Sequence, residues 1–104
     1  MMSISQEVFD RIPTSVIVVD SKRRVLQANR SARELIGEAA IGRDLALNLR
    51  HPNILDGLDR VLNGAPEAEG EITLPVPVSR SLSFRIERLS FASAEDNAVA
   101  TLVI

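Results

Sequence analysis

The residues of this chain that could carry chemistry are few. His51 is the only histidine and there is no cysteine, which excludes disulfides, thiolate nucleophiles and cysteine-based metal sites. Protein metal sites usually need three or four ligands, which one histidine without cysteine does not supply. No Ser-His-Asp arrangement and no close pair of carboxylates can be inferred from the spacing of the polar residues. The sequence therefore predicts neither a catalytic residue nor a metal site.

Two polar residues, Asp20 and Asn29, each follow a short apolar stretch. An aspartate bonds readily to nearby backbone amides, so Asp20 suits a hairpin turn, and Asn29 suits the cap of a following helix. Lys22, Arg23 and Arg24 lie between them. Such a small basic cluster predicts a solvated turn rather than a phosphate site.

Length and charge narrow the class of protein. The chain has 104 residues, which suits one domain with its own core. Its 12 basic and 14 acidic residues give a net charge of −2, without the basic excess that binding to nucleic acid requires. It contains no apolar run of the roughly 18 residues needed to span a bilayer, and its N-terminus lacks a signal-peptide pattern. We expect a soluble domain that binds no nucleic acid.

The first half of the chain predicts helices around a strand hairpin. Residues 3–12 place apolar side chains on one stripe, which predicts an amphipathic N-terminal helix. Residues 16–19 and 25–28 are apolar stretches joined by the basic turn, and they predict two paired strands. A helix capped by Asn29 or Ser31 is expected over residues 30–36, and a longer helix with proline in its first turn over residues 52–62.

The second half changes to a period of two residues. Residues 71–78 alternate, with two prolines on one side, so this strand belongs at the edge of a sheet. Residues 82–91 predict a long strand with a bulge at residues 87–88, where the alternation changes phase. Residues 98–104 are almost continuously apolar, as in a central strand buried on both faces. The order of elements predicts an α+β domain with a five-stranded antiparallel sheet.

A resemblance to a known family covers the stretch between Ile12 and Gly42. Its pattern is an apolar run, an aspartate, a hairpin, a second apolar run, Ala28-Asn29 and a short helix ending in glycine, and it resembles the opening of PAS sensor domains. The resemblance implies the PAS fold, with strand order 2-1-5-4-3, helices on one face and an N-terminal amphipathic helix. It divides the chain into that helix over residues 1–13 and a PAS domain over residues 14–104.

Two further segments, Gly42-Arg43-Asp44-Leu45 and Leu49-Arg50-His51-Pro52, are similar to the PAS domain of alphaproteobacterial phosphate-regulon-type sensor histidine kinases. This resemblance implies a cytoplasmic sensory or signal-relay domain of a two-component system, within a parent protein anchored in the inner membrane. Such a domain passes its state to a dimerisation helix and a kinase domain beyond the last strand. The fragment carries no phosphoacceptor segment and no ATP-binding boxes, so we expect that it is not itself an enzyme. The alternative is a PAS ligand-binding module of a transcriptional regulator or a cyclic-nucleotide-signalling protein.

The resemblance also bears on cofactors. Some PAS proteins bind haem through one histidine on the helix that follows the position of His51, but His51 precedes a proline at a predicted helix start, where a capping or surface role is expected. Flavin photochemistry in PAS relatives uses a cysteine beside the asparagine that begins the first pocket helix, whereas Asn29 is followed by Arg30, which excludes it. We expect no cofactor. With three phenylalanines and neither tryptophan nor tyrosine, any ligand would be small or apolar.

A ligand pocket would lie between the sheet and the helices over residues 30–36 and 52–62. Small PAS domains often fill this space with side chains, so core packing is the alternative for each candidate. The candidate lining residues are Ala28, Ala32, Leu35, Leu47, Ile54, Leu58, Val61 and Ile86.

The predicted sheet also implies an interface between two copies of the chain. The helices cover one face only, while both central strands are apolar on both faces, so the other face requires the N-terminal helix or a partner subunit. We expect a homodimer in which a signal is a small change in the pairing of these elements. The candidate interface residues are Ile4, Val8, Phe9, Ile12, Val16 and Val18.

Overall fold

The computed structural model of the chain describes residues 6–74, 80–89 and 99–104. These residues form helices α1 (Gln6–Asp10), α2 (Arg30–Ile36) and α3 (Pro52–Leu62), and strands β1 (Val16–Val19), β2 (Val25–Ala28), β3 (Glu67–Leu74), β4 (Arg80–Arg88) and β5 (Ala100–Val103). Two 3₁₀ turns, Glu38–Ala40 and Leu45–Leu47, lie between α2 and α3. The described helices include none that is long and apolar enough to cross a membrane.

The strands form one antiparallel sheet in the order β2-β1-β5-β4-β3, which confirms the predicted α+β class and strand order. β1 lies in the interior of the sheet, where Ile17 is opposite Ala28 of β2 on one side and Leu102 of β5 on the other. β3 lies at an edge, as its alternation and prolines predicted, although Pro75 and Pro77 themselves fall outside the described residues.

The core lies between α2, α3 and one face of the sheet, which we call the inner face. Because side chains alternate along a strand, Ile17 and Val19 of β1 are completely buried on this face, as are Ile86 of β4 and Leu102 of β5. The opposite or outer face carries the intervening residues. Burial of these apolar side chains between the sheet and the helices is expected to be the main source of the stability of the domain.

Helix α3 lies close to the sheet because Gly57 has no side chain. A Cβ atom built on Gly57 would lie 3.2 Å from Cδ1 of Ile86 and 3.3 Å from Cβ of Ala68. The helix has the bounds that the sequence predicted, with Pro52 in its first turn. Its completely buried stripe consists of Ile54, Leu58 and Val61.

Strand β3 begins at Glu67 rather than at the predicted residue 71. Its first residues do alternate, but Ala68 and Gly70 occupy the inner-face positions and have too little apolar surface to produce a recognisable pattern. A Cβ atom at Gly70 would lie 2.9 Å from Cζ of Phe84, so a larger residue there would require the Phe84 ring to move. The glycine that interrupts the apolar alternation therefore leaves room for the Phe84 ring of β4.

The bulge predicted at residues 87–88 is wrong. Glu87 pairs with Thr101 and Arg88 pairs with Ala100 in a register without a shift. Arg88 occupies an inner-face position, and its Nη1 donates a hydrogen bond of 3.0 Å to the carbonyl of Val61 near the end of α3. The apparent change of phase arose because this inward position carries an arginine that bonds to a helix end, where an apolar residue was expected.

Candidate functional site

Side chains fill the part of the predicted pocket space that lies under α3, whereas Leu35 of α2 lines a groove of about 350 Å³ together with Leu82 and Ile104. The candidates Ala32, Ile54, Leu58, Val61 and Ile86 are 0% exposed, and Ala28 is 2% exposed. A side chain that borders a void large enough for water retains accessible surface, so no water-sized space touches the first five. Leu35 is half-buried and packs against the same cluster.

Leu47 is the pocket candidate that the structure places elsewhere. It is 67% exposed, at the end of the 3₁₀ turn Leu45–Leu47. Leu45, at the start of that turn, is completely buried in its place. The side chain of Asp44 caps the turn by accepting a hydrogen bond of 2.9 Å from the backbone amide of Ala46. The segment was too short for a helical stripe to show which leucine points inward.

Asn29 is completely buried and uses all of its side-chain hydrogen-bonding capacity. Its Oδ1 accepts bonds of 3.0 Å from the backbone amides of Val16 and Ala32. Its Nδ2 donates to the carbonyls of Ile12 at 3.1 Å and Thr14 at 2.7 Å. The bond from Ala32 is the helix cap that the sequence predicted. The other three bonds attach the segment before β1 to the start of α2, and nothing in the sequence pattern indicated them.

Helix α1 is held to α2 by an ion pair between Asp10 and Arg33. Nη1 of Arg33 lies 3.0 Å from Oδ1 of Asp10, and Nη2 lies 3.3 Å from Oδ2. The same Nη1 donates to the carbonyl of Ala28 at 2.7 Å. The charge-assisted hydrogen bond from Arg33 holds the pKa of Asp10 below its ordinary value. Nothing in the sequence pattern indicated this pair, because it joins two helices that only the tertiary fold brings together.

The basic turn between β1 and β2 combines a predicted feature with an unexpected one. Oδ1 of Asp20 accepts hydrogen bonds from the backbone amides of Lys22 at 2.8 Å and Arg24 at 2.9 Å, which confirms its turn role. Arg23 is not the solvated residue expected of a basic tip. Its guanidinium contacts Asp44 through two bonds of 2.9 and 3.2 Å, and its Nη1 lies 3.1 Å from Asp59 of α3.

The charge pairing at Arg23 has an electrostatic and a conformational consequence. The hydrogen bond from Arg23 lowers the pKa of Asp44. Arg23 also has a φ angle of 64°, a left-handed conformation that few residues other than glycine adopt. The turn is therefore held in an unusual backbone shape while its side chain ties the hairpin to the 3₁₀ turn and to α3.

His51 precedes α3 at the cap position and is half-buried, without a capping bond from its side chain. Its Nδ1 is enclosed and has no hydrogen-bond partner within the part of the chain that the structure describes. Across residues 6–74, 80–89 and 99–104, no group of three or more histidine, cysteine, aspartate or glutamate residues could hold a metal ion.

The candidate interface residues differ in how much surface they offer. Val8 on α1 is 59% exposed, whereas Phe9 and Val18 are 6% and 5% exposed within a single chain. Ile12 and Val16 are half-buried. Ile4 lies outside the described residues.

The outer face of the sheet has an apolar part and a charged part. On β3 and β4, Arg85 lies 2.6 Å from both Glu67 and Glu87 and 3.6 Å from Glu69. On β1 and β5 the outer positions are apolar or uncharged, and Val16 is directly opposite Val103. The apolar part is therefore confined to the middle of the sheet.

Comparison with known proteins gives a family for this arrangement. The family profile described as PAS domain matches residues 4–71. The comparison with curated proteins gave no match.

Solved structures share the fold at low sequence identity. The PAS domain of nitrogen regulation protein NR(II) from Vibrio parahaemolyticus is 16% identical with a TM-score of 0.68, over 98% of this chain and 95% of that one. The photoactive yellow protein domain of the sensor histidine kinase Ppr from Rhodospirillum centenum is 19% identical with a TM-score of 0.73, over 97% and 93%. VqmA bound to DPO is 17% identical with a TM-score of 0.68, over 93% of this chain and 52% of that one. With a family profile that covers more than half of its length and a sheet in the PAS order, the chain belongs to the PAS domain family.

Proposed function

We propose that this PAS domain is the cytoplasmic signal-relay domain of a two-component sensor histidine kinase, and that it acts by a change of shape within a homodimer. The observation that carries the proposal is the filled inner face, where Ile54, Leu58 and Ile86 touch no water-sized space. A domain with a filled core still transmits a displacement from one terminus to the other, since close-packed interiors move as units. Such a core suits a domain that relays a conformational change between neighbouring parts of a longer protein.

The phosphate-regulon type of kinase is proposed from the segment Gly42-Arg43-Asp44-Leu45, whose residues also have structural roles in this fold. The amide of Gly42 donates to the carbonyl of Val25 at 2.7 Å, and the carbonyl of Arg43 accepts from the amide of Val25 at 2.9 Å. Asp44 binds Arg23. A sensor histidine kinase, Ppr, contains a domain of the same fold. The parent of this chain is then membrane-anchored, with a dimerisation helix and a kinase domain after the PAS domain.

The dimer is proposed to form through α1 and the apolar part of the outer face. Val8 is 59% exposed on α1, and Val16 and Val103 are half-buried neighbours on adjacent strands. The charged part around Arg85 is satisfied by glutamates of the same chain and is not needed in the interface. Phe9 and Val18 are already buried within a single chain, so they add little area to the proposed interface.

Native mass spectrometry of the purified chain near neutral pH tests the proposal. The expected species is a dimer of the 11.3 kDa chain, without the mass of a retained small molecule. Val8→Glu and Val16→Glu are expected to give monomers, since each places a charge in an apolar contact. Leu47→Glu is the matched control, because Leu47 is 67% exposed at a different surface, and this variant should remain dimeric.

Three results would contradict the proposal in different ways. A monomeric wild-type chain would remove the dimer, and a dimer that survives both substitutions would move the interface elsewhere. A retained small molecule would replace relay by ligand sensing. Sequence downstream of Ile104 tests the kinase assignment separately, since a DNA-binding or cyclase segment there would favour a transcriptional regulator or cyclic-nucleotide-signalling protein instead.

A further inference from the structure

The turn between β1 and β2 holds Arg23 in a left-handed backbone conformation, with a φ angle of 64°. Within the part of the chain that the structure describes, every other residue with a positive φ angle is a glycine. A residue with a Cβ atom adopts this conformation only at a cost in free energy, because the Cβ atom crowds the carbonyl oxygen that follows it. The position favours glycine, so an arginine here requires a compensating interaction.

The compensation comes from carboxylates of two other elements. Nε and Nη2 of Arg23 donate to Asp44 at 2.9 and 3.2 Å, and Nη1 donates to Asp59 of α3 at 3.1 Å. Arg23 and Asp44 are half-buried and Asp59 is exposed, so solvent and salt weaken both ion pairs. Ion pairs of this kind contribute free energies of the same order as the cost of one left-handed residue. The two opposing contributions are therefore nearly balanced.

The backbone of Arg23 connects this balance to neighbouring segments. The amide of Leu45 donates a hydrogen bond of 2.9 Å to the carbonyl of Arg23, and Leu45 itself is completely buried. The amide of Arg23 donates to the carbonyl of Asp20 at 3.1 Å. Because the peptide planes on both sides of a residue turn with its φ and ψ angles, a change of conformation at Arg23 would break both bonds.

We propose that Arg23 is a conformational switch with two states. In the clasped state, Asp44 and Asp59 hold its left-handed backbone, and the hairpin, the 3₁₀ turn Leu45–Leu47 and α3 move as one unit. In the released state, the ion pairs are broken, the backbone of Arg23 leaves the left-handed region, and the hairpin loses its connection to α3. Ions that compete for these charges shift the population to the released state, because they bind the charged groups only when the ion pairs are open.

Amide hydrogen exchange at Leu45 reports the switch, since its bond to Arg23 exists only in the clasped state. The amide of Ala32, which donates to the buried side chain of Asn29, is the internal reference. Arg23→Gln removes the charge and keeps the backbone cost, so Leu45 exchange should speed by about fivefold or more. Arg23→Gly removes both the charge and the cost, so Leu45 exchange should stay within about twofold of the wild-type rate.

Salt and a substitution on α3 test the ion pairs themselves. Raising sodium chloride from about 0.02 M to about 0.5 M should speed Leu45 exchange in the wild-type chain by about twofold or more relative to Ala32, and should have no effect in either Arg23 variant. Asp59→Asn should speed Leu45 exchange in the wild-type chain and add nothing in Arg23→Gln. Arg60→Gln is the matched control, because it removes a positive charge from an exposed ion pair of α3 and should leave Leu45 exchange unchanged.

The expected order is fastest Leu45 exchange in Arg23→Gln, with Arg23→Gly and the wild-type chain close together. Equal acceleration in both Arg23 variants would show that the left-handed backbone carries no cost, and no acceleration in Arg23→Gln would show that the ion pairs do not hold the turn. Either result would overturn the proposal. So would a wild-type rate that salt leaves unchanged, acceleration by Arg60→Gln, or additive effects of Asp59→Asn and Arg23→Gln. The measurement follows one amide in whichever oligomeric state the chain adopts, so a monomeric wild-type chain would remove the proposed dimer without deciding this test.

Discussion

The backbone amide of Val16 donates a hydrogen bond of 3.0 Å to the side-chain oxygen of Asn29. One buried side chain thus joins the first residue of β1 to the cap of α2. The amide nitrogen of the same side chain holds the carbonyls of Ile12 and Thr14. Asn29 therefore connects the segment that follows α1, the central strand β1 and the helix α2.

Replacement of Asn29 by alanine should destabilise the domain by about 2–4 kcal/mol, because it removes a helix cap and leaves several buried backbone groups without partners. Chemical denaturation measured by circular dichroism gives this free energy of unfolding. Asn63→Ala is the matched control. Asn63 is exposed at the end of α3 and donates a single bond of 2.8 Å to Asp59, so its loss should cost less than about 1 kcal/mol. Equal losses in the two variants would contradict the central role of Asn29.

The sequence predicted the sheet because its signal is local alternation. Ile17 and Val19 are apolar, and so are Ile86 and Leu102, and each lies on the inner face where a period of two residues places it. The capping role of Asn29 was predictable for the same reason, since a cap depends on the next few residues. The alternation did not reveal the inner-face positions that lack an apolar residue. Gly70 in β3 and Arg88 in β4 are the two examples.

The candidate site was harder to predict because it depends on contacts between distant segments. Arg23 appeared to be a solvated turn residue, since its partners Asp44 and Asp59 reach it only through the tertiary fold. The sequence could not show which of Leu45 and Leu47 is buried, because a three-residue turn is too short to form an apolar stripe. Six of the predicted pocket residues lie in the core, but the sequence could not decide between a lined pocket and a filled one, because that depends on packing volume.

Leu58→Ala tests whether the inner face is filled. Leu58 is completely buried on α3, so truncation should cost about 2–5 kcal/mol and leave an apolar cavity. Benzene should then raise the thermal midpoint of the variant, as expected for a ligand that binds the folded state in a dry cavity, and should leave the wild-type midpoint unchanged. Leu55→Ala, at a half-buried position of the same helix, controls for helix truncation and should gain nothing from benzene. Stabilisation of the wild-type chain by benzene would show that the core already contains a ligand space.

The ion pair between Asp10 and Arg33 should make the stability of the domain depend on pH in acid. The hydrogen bond from Arg33 lowers the pKa of Asp10 in the folded state, so the unfolded chain binds the proton more readily. The stabilisation is therefore complete above the unfolded pKa of about 4 and is lost as the pH falls through the lower folded value.

Asp10→Asn removes this titration, so its free energy of unfolding should fall less steeply below about pH 4 than that of the wild-type chain. Denaturation midpoints measured at intervals of pH compare the two slopes. Asp56→Asn is the matched control, because Asp56 pairs with Arg60 on an exposed surface where both side chains are more than half accessible and solvent screens the interaction. Parallel slopes for the wild-type chain and Asp10→Asn would show that α1 is not held to α2 by this pair. If the free energy of unfolding depends less on pH in Asp10→Asn but not in Asp56→Asn, the ion pair between Asp10 and Arg33 is the acid-sensitive contact that holds α1.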